Sequence, residues 1–191
     1  MQKLLSEIRA CEICKPYLKD GVRPVLRADT AARIAVIGQA PGSKVHKSGI
    51  PWDDPSGIRL RDWMKVSPDQ FYDEKIFAII PMGFCYPGKG KSGDLPPRPE
   101  CAPKWHRPLF DQLPNIELII LIGSYAQKYY LENGVYTTLT KTVKNFKDHL
   151  PQYLPLPHPS PRNNLWLRKN PWFEKDVIPI LQERIEEIIN R

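Results

Sequence analysis

Three short apolar runs decide most of what this chain can fold into. "ARIAVIG" (32–38), "IFAIIPM" (76–82) and "ELIILIG" (117–123) are continuous, rich in β-branched residues and without a polar face. A strand that alternates apolar and polar residues has one wet side, whereas a run without alternation is covered on both. Between them lie stretches with helical periodicity: "SGIRLRDWMKV" (56–66), "RPECAPKWHRPLFDQL" (98–113) and "SYAQKYYLEN" (124–133). "QYLPLPH" (152–158) is a weaker fourth strand, and residues 2–10 read as a short helix. "PWFEKDVIPILQERIEEIIN" (171–190) closes the chain, with Val177, Ile178, Leu181, Ile185, Ile188 and Ile189 on one helical face. Strands alternating with helices predict an α/β fold, a three-layer α/β/α sandwich around a four-stranded, mostly parallel sheet. The 191 residues suffice for one such domain over 1–191, and no linker divides them.

In sheets of this kind ligands bind outside the carboxyl ends of the strands. Three unusual loops follow strands and so converge on that edge: "GQAPGSKVHKSGIPWDD" (38–54), "GFCYPGKGKSG" (83–93) and "HPSPRNN" (158–164). "GQAPG", Gly38 to Gly42, is a tight turn able to bring backbone N–H groups against a ligand. Trp52 suits stacking on a flat base or packing on the core, and Asp54 or Ser56 suits the N-cap of the next helix. "LPLPHPSPRNN" (154–164) sets four prolines around His158. Each proline fixes a backbone angle, so this loop is stiffened around a single imidazole.

The four cysteines are Cys11, Cys14, Cys85 and Cys101. Cys11 and Cys14 form a C-x-x-C, whose thiolates can chelate one metal over a single turn. Four thiolates complete a zinc site or hold a four-iron cluster, and spacing does not separate the two. A redox dithiol would follow a strand in a βαβ unit, but this pair precedes the first strand. A disulfide pair or unrelated buried thiols would also account for the count; a shared metal site is the expectation.

The formal net charge is +7. "KTVKNFKDH" and "PRNNLWLRKN" interleave cations with aromatics, a mixture that suits a phosphate backbone and stacked bases, although a solvated surface looks the same. No run of eighteen apolar residues exists, so no membrane span is expected. "MQKLLSEIRA" carries no apolar signal core, and a cytoplasmic protein is expected.

Taken together, these loops resemble the uracil-DNA glycosylase superfamily. "GQAPG" after an apolar strand is similar to its first motif, "SGIPW" to its Gly-x-Pro-aromatic segment, and "HPSPRN" to its second motif in the single-strand-selective form. The cysteines resemble those of the thermophile-type, iron–sulfur branch. The resemblance implies a four-iron, four-sulfur cluster on Cys11, Cys14, Cys85 and Cys101, or zinc in its place. It implies a protein that flips a damaged base out of single- or double-stranded DNA and cleaves its N-glycosidic bond; a monomer is expected. Carried over by motif, His158 stabilises the departing base, and Gly38, Gln39, Ala40, Pro41, Gly42 and Trp52 line the base pocket. Ser160, Arg162 and Asn163 meet the DNA backbone, Leu165, Trp166 or Leu167 fills the gap left by the base or else the three pack on the final helix, and Arg168 and Lys169 contact phosphate.

Two positions depart from the iron–sulfur branch. Gln39 stands where that branch has an acidic residue, and an amide holds a water but cannot accept its proton. Either Asp53 or Asp54 then assists, or the mechanism relies on leaving-group stabilisation alone. Pro81 stands where an Asn reads the uracil edge, which leaves that reading to Asn163, Asn164 or backbone. A non-catalytic nucleic-acid or nucleotide-binding module on the same fold, and a zinc-stabilised α/β protein with an incidental basic surface, are the competing readings.

Overall fold

The computed structural model describes residues 1–91 and 93–191, with Asn133 described in its backbone alone. Ile34–Ile37 (β1), Phe77–Ile79 (β2), Leu118–Ile122 (β3) and Tyr153–Leu156 (β4) form one sheet in the order β2-β1-β3-β4. All three pairings are parallel, with Ile34 beside both Phe77 and Leu118, and Ile122 beside Leu156. An isolated antiparallel bridge between Arg27 and Ile79 covers part of the edge of β2.

The unbroken apolar runs are buried on both faces, as their lack of alternation requires. Ile34, Val36, Leu118, Ile120, Ile122, Leu154 and Leu156 belong to one core, and Ala35, Ile37, Ala78, Ile80, Ile119 and Leu121 to the other. The second core is closed by Gln2–Arg9 (α1) through Leu4, Leu5 and Ile8, and by helices introduced below. Burying one such aliphatic side chain stabilises by about 1.5–3 kcal/mol.

Helix positions follow local chemistry. Ser43–Ser48 (α2) ends on Gly49 in the left-handed conformation. Pro55–Met64 (α3) has Asp54 as N-cap, its side chain accepting from the Gly57 N–H, with Pro55 at the first helical position. Pro68–Tyr72 (α4) starts from a capping box between Ser67 and Gln70. Cys101–Phe110 (α5) and Ser124–Leu131 (α6) complete the second layer through Ala102, Leu109, Ala126 and Leu131. Leu139–Lys144 (α7) is capped by Thr138. Asn164–Lys169 (α8) continues the His158 loop. A π-helical turn, Phe173–Val177, leads into Ile178–Ile189 (α9), which with α3, α4 and α7 covers the first core.

The expected sandwich is therefore present, and the sheet is fully parallel. Helices α2, α4, α7 and α8 have only five or six residues each. That is too short for an apolar period to register, so sequence periodicity missed all four. The chain leaves β1 for β2 and returns past β1 to β3, which makes the carboxyl edge beside β1 the place where a crevice opens. Among the described residues, no helix is long and apolar enough to cross a membrane.

Candidate active site

The loops after β1, β2 and β4 meet over a cleft of about 250 Å³. Gly38 to Gly42 form one wall and Trp52, Asp54 and Ser56 the next. Pro81 and Asp94 come from the segment after β2, and His158, Ser160 and Arg162 from the loop after β4. A shallower hollow beside it takes in Pro87, Gly93 and Asn163.

His158 is held by its own loop. The Ser160 backbone N–H donates to Nδ1 at 3.1 Å, so in the neutral ring Nε2 carries the proton. The Asn163 side chain donates to the His158 carbonyl at 2.7 Å, and the Ser160 hydroxyl accepts from the Arg162 N–H at 3.3 Å. From across the cleft, Arg59 of α3 donates to the Ser160 carbonyl at 3.3 Å. Buried Gln127 on α6 donates to the Leu156 carbonyl at 2.9 Å and fixes the end of β4. Burial pushes the His158 pKa below its ordinary value, while Asp54 and Asp94 pull it the other way. The result is a neutral imidazole whose remaining N–H is a hydrogen-bond donor.

Trp52 stands between the core and the cleft. It packs against the first core and also lines the cleft, its ring 5.7 Å from that of His158 at 36°. The indole lies on Gly38, where a Cβ would stand 2.8 Å from the ring. Trp52 itself has φ of 57°, an uncommon conformation for a bulky residue. It is held there because a Cβ on Gly57 would collide with the Trp52 carbonyl, so only glycine permits the approach. The Tyr72 hydroxyl adds a bond to the Pro51 carbonyl at 3.0 Å.

The carboxylates divide. Asp54 lines the cleft, but one oxygen caps α3 by accepting from the Gly57 N–H at 2.8 Å. Asp53 is not among the cleft-lining residues. Asp94 does line it, and sequence reasoning passed it over, although the loop singled out after the second strand stops one residue before it. A lone acid in a loop otherwise rich in Gly and Lys was the signal that could have found it. The Gln39 amide turns toward the same segment, donating to the Leu95 carbonyl at 3.4 Å.

Pro81 lines the cleft, and its carbonyl accepts from His106 Nε2 at 3.1 Å. His106 is buried on α5, its Nδ1 2.6 Å from the Tyr130 hydroxyl, and burial drives its pKa down to about 4. This histidine was not legible as a site residue, because its partners lie after β2 and on α6. The Asn163 amide, expected to be available to a base, is bonded to the His158 carbonyl instead. The segment 165–167 splits: Leu165 is 55% exposed, whereas Trp166 donates to the Thr140 hydroxyl and packs on Phe173, and Leu167 joins the core. Arg168 and Lys169 are exposed in the last turn of α8.

All four cysteines line a second cavity, with apolar walls that include Ile8, Leu18, Phe84 and Trp105. Burial pushes the Cys101 thiol up to about 12 and Cys85 to about 11, with the neighbouring cysteines adding to both shifts. The Phe84 N–H points at Cys101 Sγ from 3.4 Å. Among the described residues, no three His, Cys, Asp or Glu side chains converge on a point that would hold a single metal ion.

Comparison with protein-family models matches residues 26–182 to the Uracil DNA glycosylase superfamily. The match spans both cleft motifs and the second cysteine pair, and begins beyond Cys11 and Cys14. With a parallel four-stranded sheet, the two motifs facing each other across one cleft and this match over most of its length, the chain belongs to the Uracil DNA glycosylase superfamily.

Proposed function

We propose that the protein is a DNA glycosylase that hydrolyses the N-glycosidic bond of uracil or another deaminated or damaged base. The observation that carries this reading is the fixed tautomer of His158. Breaking a glycosidic bond leaves positive charge on the sugar and negative charge on the base. A donor already oriented at the base oxygen stabilises that anion without reorganising. Because the Ser160 N–H occupies Nδ1, His158 presents Nε2–H and does not act as a base in this state. The flipped base enters the cleft that Trp52, His158 and the Gly38–Gly42 turn line together. Leu165 is the exposed apolar residue that can fill the stack, and Arg162, Arg168 and Lys169 flank the DNA backbone.

The four cysteines are proposed to hold a four-iron, four-sulfur cluster in preference to zinc. Zinc draws four sulfurs to about 2.3 Å from one point, whereas a cluster takes one thiolate at each of four separated irons. Four thiols that line one apolar cavity, with no three described ligands converging on a single point, suit the second arrangement. Its role is structural: it ties the end of α1 to the segment after β2 and to the start of α5.

A non-catalytic binding module is favoured by one specific observation, the absence of a proton acceptor at Gln39 and of a base-reading side chain at Pro81. Base release from single- and double-stranded oligonucleotides carrying uracil, hypoxanthine, xanthine or mismatched thymine decides between the two. We expect release from at least one substrate. His158→Ala should lower the rate by about 10²–10³ while oligonucleotide affinity is kept. Wild-type activity should fall on the acid side as His158 protonates, at a pH below its ordinary pKa of about 6.5. Binding without release from any substrate would establish the module instead.

A further inference from the structure

We propose that Asp94 is the carboxylate that takes the proton from the attacking water, replacing from the segment after β2 the acid that Gln39 does not supply. This rests on the glycosylase reading above.

Three placements support it. First, Asp94 lines both the main cleft and the adjoining hollow, and His158 lines both with it. Second, it faces the first motif directly. A Cβ on Gly42 would stand 3.6 Å from Asp94 Oδ2 and 4.0 Å from Asp54 Oδ2, so the two carboxylates flank the same glycine. Third, its backbone is anchored. Asp94 bridges to Lys89, the Gly90 N–H donates to the Gly93 carbonyl, and the Leu95 N–H donates to the Gly88 carbonyl at 2.9 Å. Gln39 fastens this hairpin to the first motif through the Leu95 carbonyl. The amide thus positions the acid instead of doing its work.

The two carboxylates are not equivalent. Asp54 is committed to α3 by a 2.8 Å bond from the Gly57 N–H. The Tyr86 hydroxyl stands 3.4 Å from Asp94 Oδ1, long for an O–H···O bond, and Asp94 is exposed at the rim. An anionic carboxylate at the rim also stabilises the positive charge that develops on the sugar. In the step itself the water oxygen bonds to the sugar C1′ as the C1′–N bond breaks. The electron pair leaves with the base, whose oxygen accepts the His158 Nε2–H bond. The water proton passes to the Asp94 carboxylate and from there to the base. Hydroxyl is added to the sugar and hydrogen to the base, with nothing else consumed.

The test is single-turnover base release by Asp94→Asn on the best wild-type substrate, measured from about pH 5 to 9. We expect a loss of about 10²–10⁴ with unchanged oligonucleotide affinity and melting temperature. Formate should restore part of the rate to Asp94→Gly, because a small carboxylate fits the space vacated. A rate within threefold of wild type, or a slow Asp94→Gly that gains nothing from formate, would overturn the assignment and leave the glycosylase reading standing. A wild type that releases no base at all would remove both.

Discussion

The cleft and the cysteine cavity lie on either side of one short segment, yet they are built in opposite ways. Pro81 lines the first, and Gly83, Phe84 and Cys85 line the second. The cleft is self-supporting: its histidine, its turn and its caps are joined by bonds to nearby backbone, and Arg59 and Gln127 brace it from neighbouring helices. The cysteine cavity gathers thiols from distant points of the chain into apolar surroundings, where Cys85 and Cys101 are costly to ionise. A site finished by its own hydrogen bonds can be altered without loss of fold. One whose thiols hold the proposed cluster cannot.

The largest expected effect tests that contrast. With the proposed cluster, Cys85→Ser should abolish iron and sulfide content and lower the melting temperature by about 10 °C or more, consistent with a loss of several kcal/mol. His158→Ala should leave the melting temperature within about 2 °C, because it removes a side chain and not a link in the core. A colourless, iron-free wild type as stable as the mutant would erase the distinction.

The next effect concerns His106, which stands under the segment shared by both sites. Its folded pKa of about 4 lies below the ordinary value of about 6.5, so the unfolded chain binds the proton first. The associated stability is fully present above about pH 6.5. It should decline by about 3 kcal/mol as pH falls toward 4. Urea unfolding at about pH 7 and about pH 4 measures this. His106→Gln, whose amide still donates to the Pro81 carbonyl, should lose that part of the slope. An unchanged slope would mean that His106 is not buried as a neutral ring.

The smallest effect sharpens the picture of the cleft. Arg59 acts on His158 only through the Ser160 carbonyl. Arg59→Ala should lower kcat about tenfold, roughly one charged hydrogen bond, with KM little changed and Arg59→Lys recovering most of it. Equal losses in KM and kcat for both variants would make Arg59 a DNA contact in place of a positioning residue.

These differences also explain what could be read from the chain in advance. Strands buried on both faces announce themselves, because Ile34 to Ile37 and Leu118 to Ile122 have no polar residue to spare. The prolines around His158 and the glycines around Gln39 mark backbone that must hold one shape, so that half of the site was visible too. Asp94 and His106 were not. Each acts through residues far away in sequence, and a lone acid or a helical histidine has no spacing to betray it. Trp166 and Leu167 looked equivalent to Leu165 until α8 turned two of the three inward. Asp53 and Asp54 are adjacent, but only the second reaches the cleft.

The tautomer of His158 has one more consequence. With Nδ1 accepting from the Ser160 N–H, the neutral ring turns only a hydrogen-bond donor, and no lone pair, toward the base. Such a site sorts bases by how comfortably they leave with an extra electron pair. Uracil, hypoxanthine and xanthine, with acidic ring N–H groups and carbonyls beside them, leave more readily than cytosine or adenine. In the proposed enzyme the difference between damaged and intact DNA would then be written partly in the acidity of the departing base, where no side chain at Pro81 is needed to read it.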